Sequence, residues 1–450
     1  MHVSKMKDRM LKSVLFPVVA LAAACVPRPA TNDSAPTTTA GQTAAETTAP
    51  AARVRPGITV LLEDSIHLIR NRRIALITNQ TGLDEHGRTD IDLLFSGDRA
   101  RAAAARLVSL YSPEHGIRGT EDRAVDSSVD ERTGLMIHSL YTAGTTGPAD
   151  STLAGVDALV FDLQDIGTRT WTYVGVMVYS LRSAKRNDIP IIVLDRPNPI
   201  TGLYPSPPML SASLANPEDP TPEKRGLAFA LFPFPLRHGM TMGEMALFYN
   251  DSLKIGARLH VIPAAGWRRS MWFDQTGLKW VKPSPNLPTL EGALLYPALV
   301  ALEGTNVSVG RGTPRAHRVF GAPALDAKRV VQLLEERRLS GVRFVETTFQ
   351  ANRYGTQQPY GGETIPGVEI VITDRDRVQV GRLGAAIYWA LKKTYGDSLK
   401  VNELRFDRLF GEPSAREALL RGEDPDAVID RMMPDVADFE RRMRKYLLYR

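Results

Sequence analysis

The sequence predicts an α/β protein whose main domain has a parallel sheet covered by helices on both faces. Short, nearly continuous apolar runs that end in polar residues or in Gly and Pro are typical of strands buried on both faces. Four such runs lie at residues 74–78, 106–111, 158–163 and 191–195. Helix-length stretches occur beside and between them, for example at residues 58–70, 90–105 and 172–187. Because parallel strands are joined by right-handed crossovers, their carboxyl ends meet at one edge, where open α/β sheets bind ligands.

The pattern changes after about residue 255, which predicts a second, smaller α+β domain. Strands are expected at residues 258–264, 342–349 and 367–374. Helices are expected at residues 291–302, 326–339, 381–394 and 425–446. We therefore divide the body into a parallel-sheet domain of residues 54–255 and a C-terminal domain of residues 256–450, with a cleft between them.

The composition narrows the class of protein. The 450 residues are 43% hydrophobic and 24% charged, which excludes a wholly disordered, fibrous or multi-span membrane protein. The formal net charge is +6, but Lys5, Lys7, Arg9 and Lys12 already lie in the first 24 residues. Because no long basic run occurs elsewhere, the charge does not favour a nucleic-acid partner.

The first residues have the pattern of a signal peptide. Residues 1–24 hold a basic segment and then an apolar run that is too short to span a membrane stably. Cys25, the only cysteine, follows three alanines, and A-A-A-C resembles the lipobox in which the cysteine is acylated after cleavage. Leu21 lies four residues before the cysteine, whereas the lipobox has leucine three before. We expect a lipid anchor at Cys25 on the periplasmic face of the cell envelope, with a secreted protein or a retained anchor as alternatives.

Residues 25–53 are expected to be a flexible tether. Of residues 26–52, 19 are Ala, Thr or Pro, and large apolar side chains are almost absent. Such a segment cannot bury enough apolar surface to offset the entropy lost on ordering.

Polar residues follow each of the four predicted parallel strands. They are Asn79 and Gln80 after the first, Glu114 and His115 after the second, Asp162, Gln164, Asp165, Arg169 and Tyr173 after the third, and Asp195, Arg196 and Asn198 after the fourth. Parallel strands would bring all of them to one edge of the sheet. Any one of them also has a structural interpretation, since an aspartate can cap a helix and Arg169 can be its partner.

Motifs that the chain lacks limit the chemistry. It has no P-loop, no G-x-G-x-x-G after a strand, no G-x-S-x-G elbow and no H-E-x-x-H, so no cofactor is expected. A metal site would have to be assembled from scattered side chains such as His115, His238 and His317, and we expect none. The remaining carboxylates, amides, arginines and aromatic rings are the groups that a carbohydrate site uses.

Eight segments of the chain form an ordered set of motifs, namely ITNQTG (77–82), SPEHGIRG (112–119), TGLMIHSLY (133–141), FDLQDIGTRTWTYV (161–174), VLDRPNP (193–199), RHGMTMGEMA (237–246), PSPNLPT (283–289) and EGTNVSVGRGT (303–313). Together and in this order they resemble the bacterial exo-β-N-acetylmuramidase family, formerly a domain of unknown function. The resemblance covers about residues 57–450. It implies a Rossmann-like domain joined to a smaller C-terminal domain, an active site in their cleft, and release of non-reducing terminal N-acetylmuramic acid from peptidoglycan fragments.

The same resemblance assigns roles to residues. Glu114 is the expected general acid, and partial burial at a strand end would raise its pKa to suit proton donation. The second catalytic group is expected among Asp162, Asp165 and Asp195. The lactyl carboxylate of the substrate calls for a cation, and the candidates are Arg169, Arg196, Arg311 and His238. The other expected substrate contacts are Asn79, Gln80, His115, Gln164, Tyr173, Asn198, Glu244 and Asn306.

One segment departs from the family pattern. Pro314 to Arg318 follow the R-G-T tag, where the family usually has residues like Thr-Pro-Phe-Glu. If this loop lines the cleft, the preference for aglycone or peptide differs from that of the family.

Two other classes of protein stay open. One is a non-catalytic envelope lipoprotein that binds glycan or muropeptide, and the other is a hydrolase of amide or ester bonds. The missing nucleophile and zinc motifs disfavour the latter.

Overall fold

The computed structural model describes residues 53–113, 116–117, 126–140, 147–215, 232–352 and 359–450. Residues 51–450 form one compact unit. The predicted signal peptide, Cys25 and nearly all of the predicted tether lie outside the described residues and stay predictions. Over the ranges given above, none of the helices combines the length and apolarity that membrane crossing requires.

The described part of the chain contains two main sheets and a short hairpin. The strands are β1 (Arg73–Thr78), β2 (Arg106–Ser112), β3 (Ser128–Val129), β4 (Met136–Ser139), β5 (Ala158–Asp162), β6 (Ile191–Leu194), β7 (Ser206–Met209), β8 (Pro235–Arg237), β9 (Leu259–Ile262), β10 (Val319–Gly321), β11 (Val342–Gln350) and β12 (Thr364–Ile372). The first sheet has the order β3-β4-β2-β1-β5-β6-β9 and is parallel except for the β3–β4 pair. The predicted parallel sheet is therefore confirmed.

Helices cover both faces of this sheet and build most of the C-terminal part. They are α1 (Gly57–Asp64), α2 (Asp90–Phe95), α3 (Asp98–Ala102), α4 (Tyr173–Arg186), α5 (Met242–Ser252), α6 (Leu290–Leu299), α7 (Ala327–Glu336), α8 (Val380–Tyr395), α9 (Glu403–Phe410), α10 (Pro413–Leu420), α11 (Pro425–Asp430) and α12 (Met433–Met443). The antiparallel sheet β10-β12-β11 packs against α7, and α8 packs against α6, α7, α10 and α11.

Alternate side chains of the central strands enter two separate cores. In β1, Ala75 and Ile77 belong to the core that contains α4 and α5, whereas Ile74 and Leu76 belong to the core that contains α1 and α2. All four are fully buried. Burial on both faces explains why the strands are continuous apolar runs and not alternating ones.

Three predicted elements differ in their limits. The helix expected at residues 90–105 is two short helices, α2 and α3, because the backbone at Gly97 is extended (φ −65°, ψ 140°) and interrupts the helical path; a Cβ atom there would lie 2.3 Å from the Leu93 carbonyl oxygen. The helix expected at residues 425–446 is divided into α11 and α12, with Pro434 in the first turn of α12. Strand β9 extends the parallel sheet past residue 255, where the sequence suggested a domain boundary.

Candidate active site

The strands that precede the polar clusters are neighbours in the sheet. β2, β1, β5 and β6 are adjacent and parallel, so the residues after them meet at one edge. Ile77 pairs with Tyr111, and Thr78 pairs with Asp162. Glu114 and His115 lie outside the described residues, and their roles stay predictions. The residues just before them end β2 beside the end of β1, which places the start of that loop at this edge.

Asp162 and Arg196 form a buried ion pair at this edge. Nε and Nη2 of Arg196 both bind the Asp162 carboxylate, with Nη2 2.8 Å from Oδ2, and Nη2 also donates to the Leu83 carbonyl at 2.9 Å. A second buried carboxyl group, Asp90, lies 3.8 Å from the same guanidinium. Burial and the charge of Asp162 raise the pKa of Asp90 well above its ordinary range. The guanidinium therefore links the loops after β1, β5 and β6.

Asp195 and Glu244 anchor the start of α5 and the C-terminal segment. Asp195 accepts hydrogen bonds from the Thr241 hydroxyl at 2.6 Å, the Gly243 N–H at 2.8 Å and the Tyr449 hydroxyl at 2.6 Å. Burial raises the pKa of Asp195 to about 7. Glu244 completes a capping box with Thr241 and binds Nη1 of Arg269 at 2.6 Å. Both carboxylates are fully buried and occupied by protein donors.

Four buried side chains hold the loops after β5 and β6 together, namely those of Asp165, His238, Asn198 and Gln164. Oδ2 of Asp165 accepts from the Gly167 N–H at 2.6 Å and lies 3.3 Å from Nε2 of His238. Asn198 donates to the carbonyl of Met240 at 2.9 Å, and Gln164 donates to the carbonyl of Pro197 at 2.9 Å. Oδ1 of Asp165 is buried and has no partner among the described residues.

Arg169 joins the parallel-sheet domain to the C-terminal part. Its guanidinium donates to the carbonyls of Arg408, Leu409 and Phe410 at 3.1, 2.9 and 3.1 Å, at the C-terminus of α9. A cation at this end also interacts favourably with the helix dipole. Burial lowers the pKa of Arg169 to about 10, so the group stays charged at neutral pH.

Two other predicted contacts lie on the C-terminal part and have protein partners. Nη1 of Arg311 binds the Glu303 carboxylate at 2.9 Å. Asn306 donates to the carbonyl of Ser398 at 2.9 Å and accepts from the N–H of Lys400 at 2.8 Å. The three arginines proposed for the lactyl carboxylate thus all have partners within the protein, and their substrate contacts stay predictions.

An aromatic cluster connects the edge of the sheet to α6. Asn79 donates to the Tyr173 hydroxyl at 2.9 Å, and that hydroxyl donates to the Pro283 carbonyl at 3.2 Å. The ring of Trp171 lies 5.4 Å from that of Tyr173 and 6.0 Å from that of Tyr296. The ring centres of Tyr296 and His317 lie 4.7 Å apart. Asn79 and Tyr173 were predicted to belong to the site, whereas the other rings were not.

Two nitrogen atoms of this cluster, and one in the segment that follows Pro283, have no hydrogen-bond partner in the described part of the chain. They are Nε1 of Trp171, Nδ2 of Asn286 and Nδ1 of His317, in side chains that are 8%, 6% and 1% exposed. Burial, with the nearby Arg311, lowers the pKa of His317 to about 3, so its ring is neutral at physiological pH. Unpaired buried polar groups are costly, and a polar ligand would satisfy them.

Gln80 lies at the same edge, with Nε2 donating to the Lys282 carbonyl at 2.8 Å and with Oε1 unpartnered among the described residues. The segment around Lys282 and Pro283 therefore crosses the carboxyl edge and binds both Gln80 and Tyr173. Among the described side chains, no group of three or more His, Cys, Asp or Glu residues is arranged to hold a metal ion.

Comparison with known proteins identifies two matching family models. The model described as "Exo-beta-N-acetylmuramidase NamZ, N-terminal" matches residues 74–291, and its C-terminal counterpart matches residues 294–449. The chain is 35% identical over 405 residues to the peptidoglycan β-N-acetylmuramidase NamZ of Bacillus subtilis, which covers 89% of this chain and 93% of that protein.

Solved structures of two DUF1343 family proteins from Bacteroides fragilis share the fold. The first has a TM-score of 0.78 and 31% identity, and the match covers 88% of this chain and 99% of the other. The second has a TM-score of 0.69 and 26% identity, with 89% and 99% covered. Their likeness extends over both the parallel-sheet part and the C-terminal part.

Proposed function

The chain belongs to the exo-β-N-acetylmuramidase NamZ family, and we propose from this that it releases N-acetylmuramic acid from the non-reducing ends of peptidoglycan fragments. The observation that carries the proposal is the match of both family models, which together span residues 74–449 with a gap of only two residues. The reaction is hydrolysis of a β-1,4-glycosidic bond. An exo-acting enzyme of this kind needs an acid, a second carboxylate or equivalent group, and a closed sugar site.

Glu114 is the proposed general acid. It comes two positions after Ser112 in the sequence, and Ser112 ends β2 at the edge of the sheet where the loops after β1 and β5 also emerge. The acid would protonate the glycosidic oxygen as the bond to the anomeric carbon breaks. For the second group we favour Asp165, because both oxygens of Asp162 and Asp195 accept hydrogen bonds whereas Oδ1 of Asp165 has no partner among the described residues.

The aromatic cluster is the proposed wall of the sugar site. Aromatic rings contact the apolar faces of sugars, and the unpaired nitrogens of Trp171, Asn286 and His317 suit hydroxyl and acetamido oxygens. For the lactyl carboxylate we favour Arg311. Its side chain is 18% exposed, compared with 6% for the side chain of Arg196, so less rearrangement is needed for a ligand to reach it.

A test of the proposed function uses residues 51–450, which form one compact unit. The protein is incubated with the disaccharide MurNAc-β-1,4-GlcNAc, and free MurNAc is followed by mass spectrometry. Glu114→Gln should abolish release, whereas the matched Glu131→Gln change at an exposed position should not. Release by Glu114→Gln would remove this residue from the acid's role. Saturable binding without release by the unmodified protein would favour the glycan-binding alternative.

We also propose that the chain is a lipoprotein of the cell envelope, anchored through Cys25. The basic segment, the apolar run, the A-A-A-C sequence and the Ala/Thr/Pro-rich tether support this proposal. In cells expressing the full chain, radiolabelled palmitate should enter the protein but not its Cys25→Ser variant. Equal labelling of the two would overturn the assignment, and so would absence of label from both.

A further inference from the structure

A cavity of about 480 Å³ lies between the loop before β7 and the start of α8. Its lining includes Tyr204, Arg237, Arg377, Gln379 and Met433. It shares none of its lining residues with the aromatic cluster of Trp171, Tyr173, Tyr296 and His317. Whatever binds there is therefore recognised by different side chains from those proposed for the cleaved sugar.

Arg237 is a buried cation on the wall of this cavity. Its side chain is 1% exposed, and the nearest influence of opposite charge among the described residues is that of Asp376, which acts on it without a direct ion pair. The guanidinium carbon lies 5.5 Å from the ring centre of Tyr204 and 5.8 Å from that of Trp272. Nη2 donates to the Ile200 carbonyl, but Nε has no partner in the described residues. Burial lowers the pKa of Arg237 to about 10, which still leaves it charged at neutral pH.

The start of α8 adds positive potential to the same cavity. This 16-residue helix has Gln379 as its N-cap, without a side-chain cap hydrogen bond, and has no acidic residue in its first turn. A helix N-terminus of this kind attracts anions through its free N–H groups and its dipole. One of these groups, the Gly381 N–H, already donates to the Ser206 hydroxyl at 3.2 Å, which brings the helix start against the first residue of β7.

The other charges around the cavity leave a cationic excess. Arg377 and Arg382 also line it, and Asp376 is the one acidic residue in the described lining. Asp376 accepts a hydrogen bond from the Trp272 indole at 2.8 Å. Arg382 binds Asp426 at 3.1 Å and also contacts Asp430, so its charge is matched outside the cavity. Arg237 and Arg377 therefore outweigh Asp376.

Two exposed apolar side chains flank these charges. Tyr204 is 47% exposed and Met433 is 41% exposed, and both line the cavity. We propose that this cavity binds an oxyanion, either a carboxylate or a phosphate group, carried by a molecule whose apolar or ring portion covers Tyr204 and Met433. The oxyanion accepts hydrogen bonds from Arg237 and from the start of α8. Binding at this cavity is independent of the proposed hydrolysis of the glycosidic bond.

The test is calorimetric titration of the full chain with two probes, inorganic phosphate and N-acetylalanine. Saturable binding of one probe but not the other identifies the oxyanion as phosphate or as carboxylate. Gln379→Glu places a carboxylate at the N-cap, where its charge stabilises the helix but repels a bound anion. This variant should bind the probe about ten-fold more weakly, or weaker still. Gln332→Glu on α7 makes the same change in charge at an exposed position outside the cavity and should leave affinity unchanged.

Arg237→Met removes the buried cation. If the Arg237→Met variant does not fold, Arg377→Ala takes its place in the test. Arg377→Ala should weaken binding several-fold, since Arg377 is exposed at the rim. The proposal is overturned if neither probe binds the unmodified chain. It is also overturned if Gln379→Glu and the unmodified chain bind with equal affinity, or if Gln332→Glu weakens binding as much as Gln379→Glu does.

Discussion

Replacement of Asp195 by asparagine should change how stability depends on pH. The folded carboxyl group titrates at a pKa of about 7, because burial disfavours its charge, and the unfolded group titrates near its ordinary value of 3.8. As pH rises between these values, the unfolded chain loses this proton and the folded chain keeps it. The free energy of unfolding of the unmodified protein therefore falls over this range, by about 1.4 kcal/mol per pH unit at most.

The asparagine side chain suits the same hydrogen bonds. Oδ1 of Asp195 accepts from the backbone N–H groups of Arg196 and Gly243, which an amide oxygen also does. Oδ2 accepts from the hydroxyls of Thr241 and Tyr449, and a hydroxyl can turn to accept from an amide N–H instead. The variant therefore removes the titration and keeps the packing.

The assay is urea unfolding of both proteins at about pH 4.5 and about pH 8, where the integrated effect of Asp195 is about 3 kcal/mol. Because other titrating groups such as Asp90 are the same in both proteins, their contributions to the pH dependence cancel when the two unfolding free energies are subtracted. The variant should gain about this amount relative to the unmodified chain on going to the higher pH. A stability difference that is the same at both pH values would refute the reasoning and show that Asp195 ionises normally in the folded state.

Three further substitutions test contacts described above. Arg169→Met leaves the last carbonyls of α9 without their donor, and urea unfolding should show a loss of about 3 kcal/mol; an unchanged midpoint would contradict the link between the domains. Tyr173→Phe removes the hydroxyl that accepts from Asn79 and donates to the Pro283 carbonyl, so MurNAc release should fall about ten-fold and the unfolding free energy should fall by about 1 to 2 kcal/mol; full activity would place this hydroxyl outside the site. Thr241→Ala removes the cap of α5 and should lower the unfolding free energy by about 1 to 2 kcal/mol, measured as above; no loss would show that water replaces the cap.

Much of the parallel sheet was predictable because it depends on local pattern. The apolar runs at β1, β2, β5 and β6 are continuous, and each is followed at once by polar residues. The break between α2 and α3 was not predicted, because it depends on the extended backbone that Gly97 adopts between them. The helices α9 and α10 are each eight residues long, too short for a clear periodic pattern.

The candidate site was predictable only in part, because sequence shows residue types but not partners. The meeting of four polar clusters at one edge followed from parallel strands. The carbonyls that bind Arg169 lie about 240 residues away in the chain, and nothing local indicates them. The contact of Trp171 with Tyr296 is likewise made by tertiary packing alone. The buried cation at Arg237 was missed for the same reason.

The contact between Asp195 and Tyr449 has a consequence for biosynthesis. These residues are separated by 254 positions in the chain, so the end of β6 emerges from the ribosome long before its hydroxyl partner does. The Leu448 N–H, which binds Glu244 at 2.9 Å, arrives equally late. Both carboxyl groups therefore complete their hydrogen bonds only when the last three residues of the chain are in place.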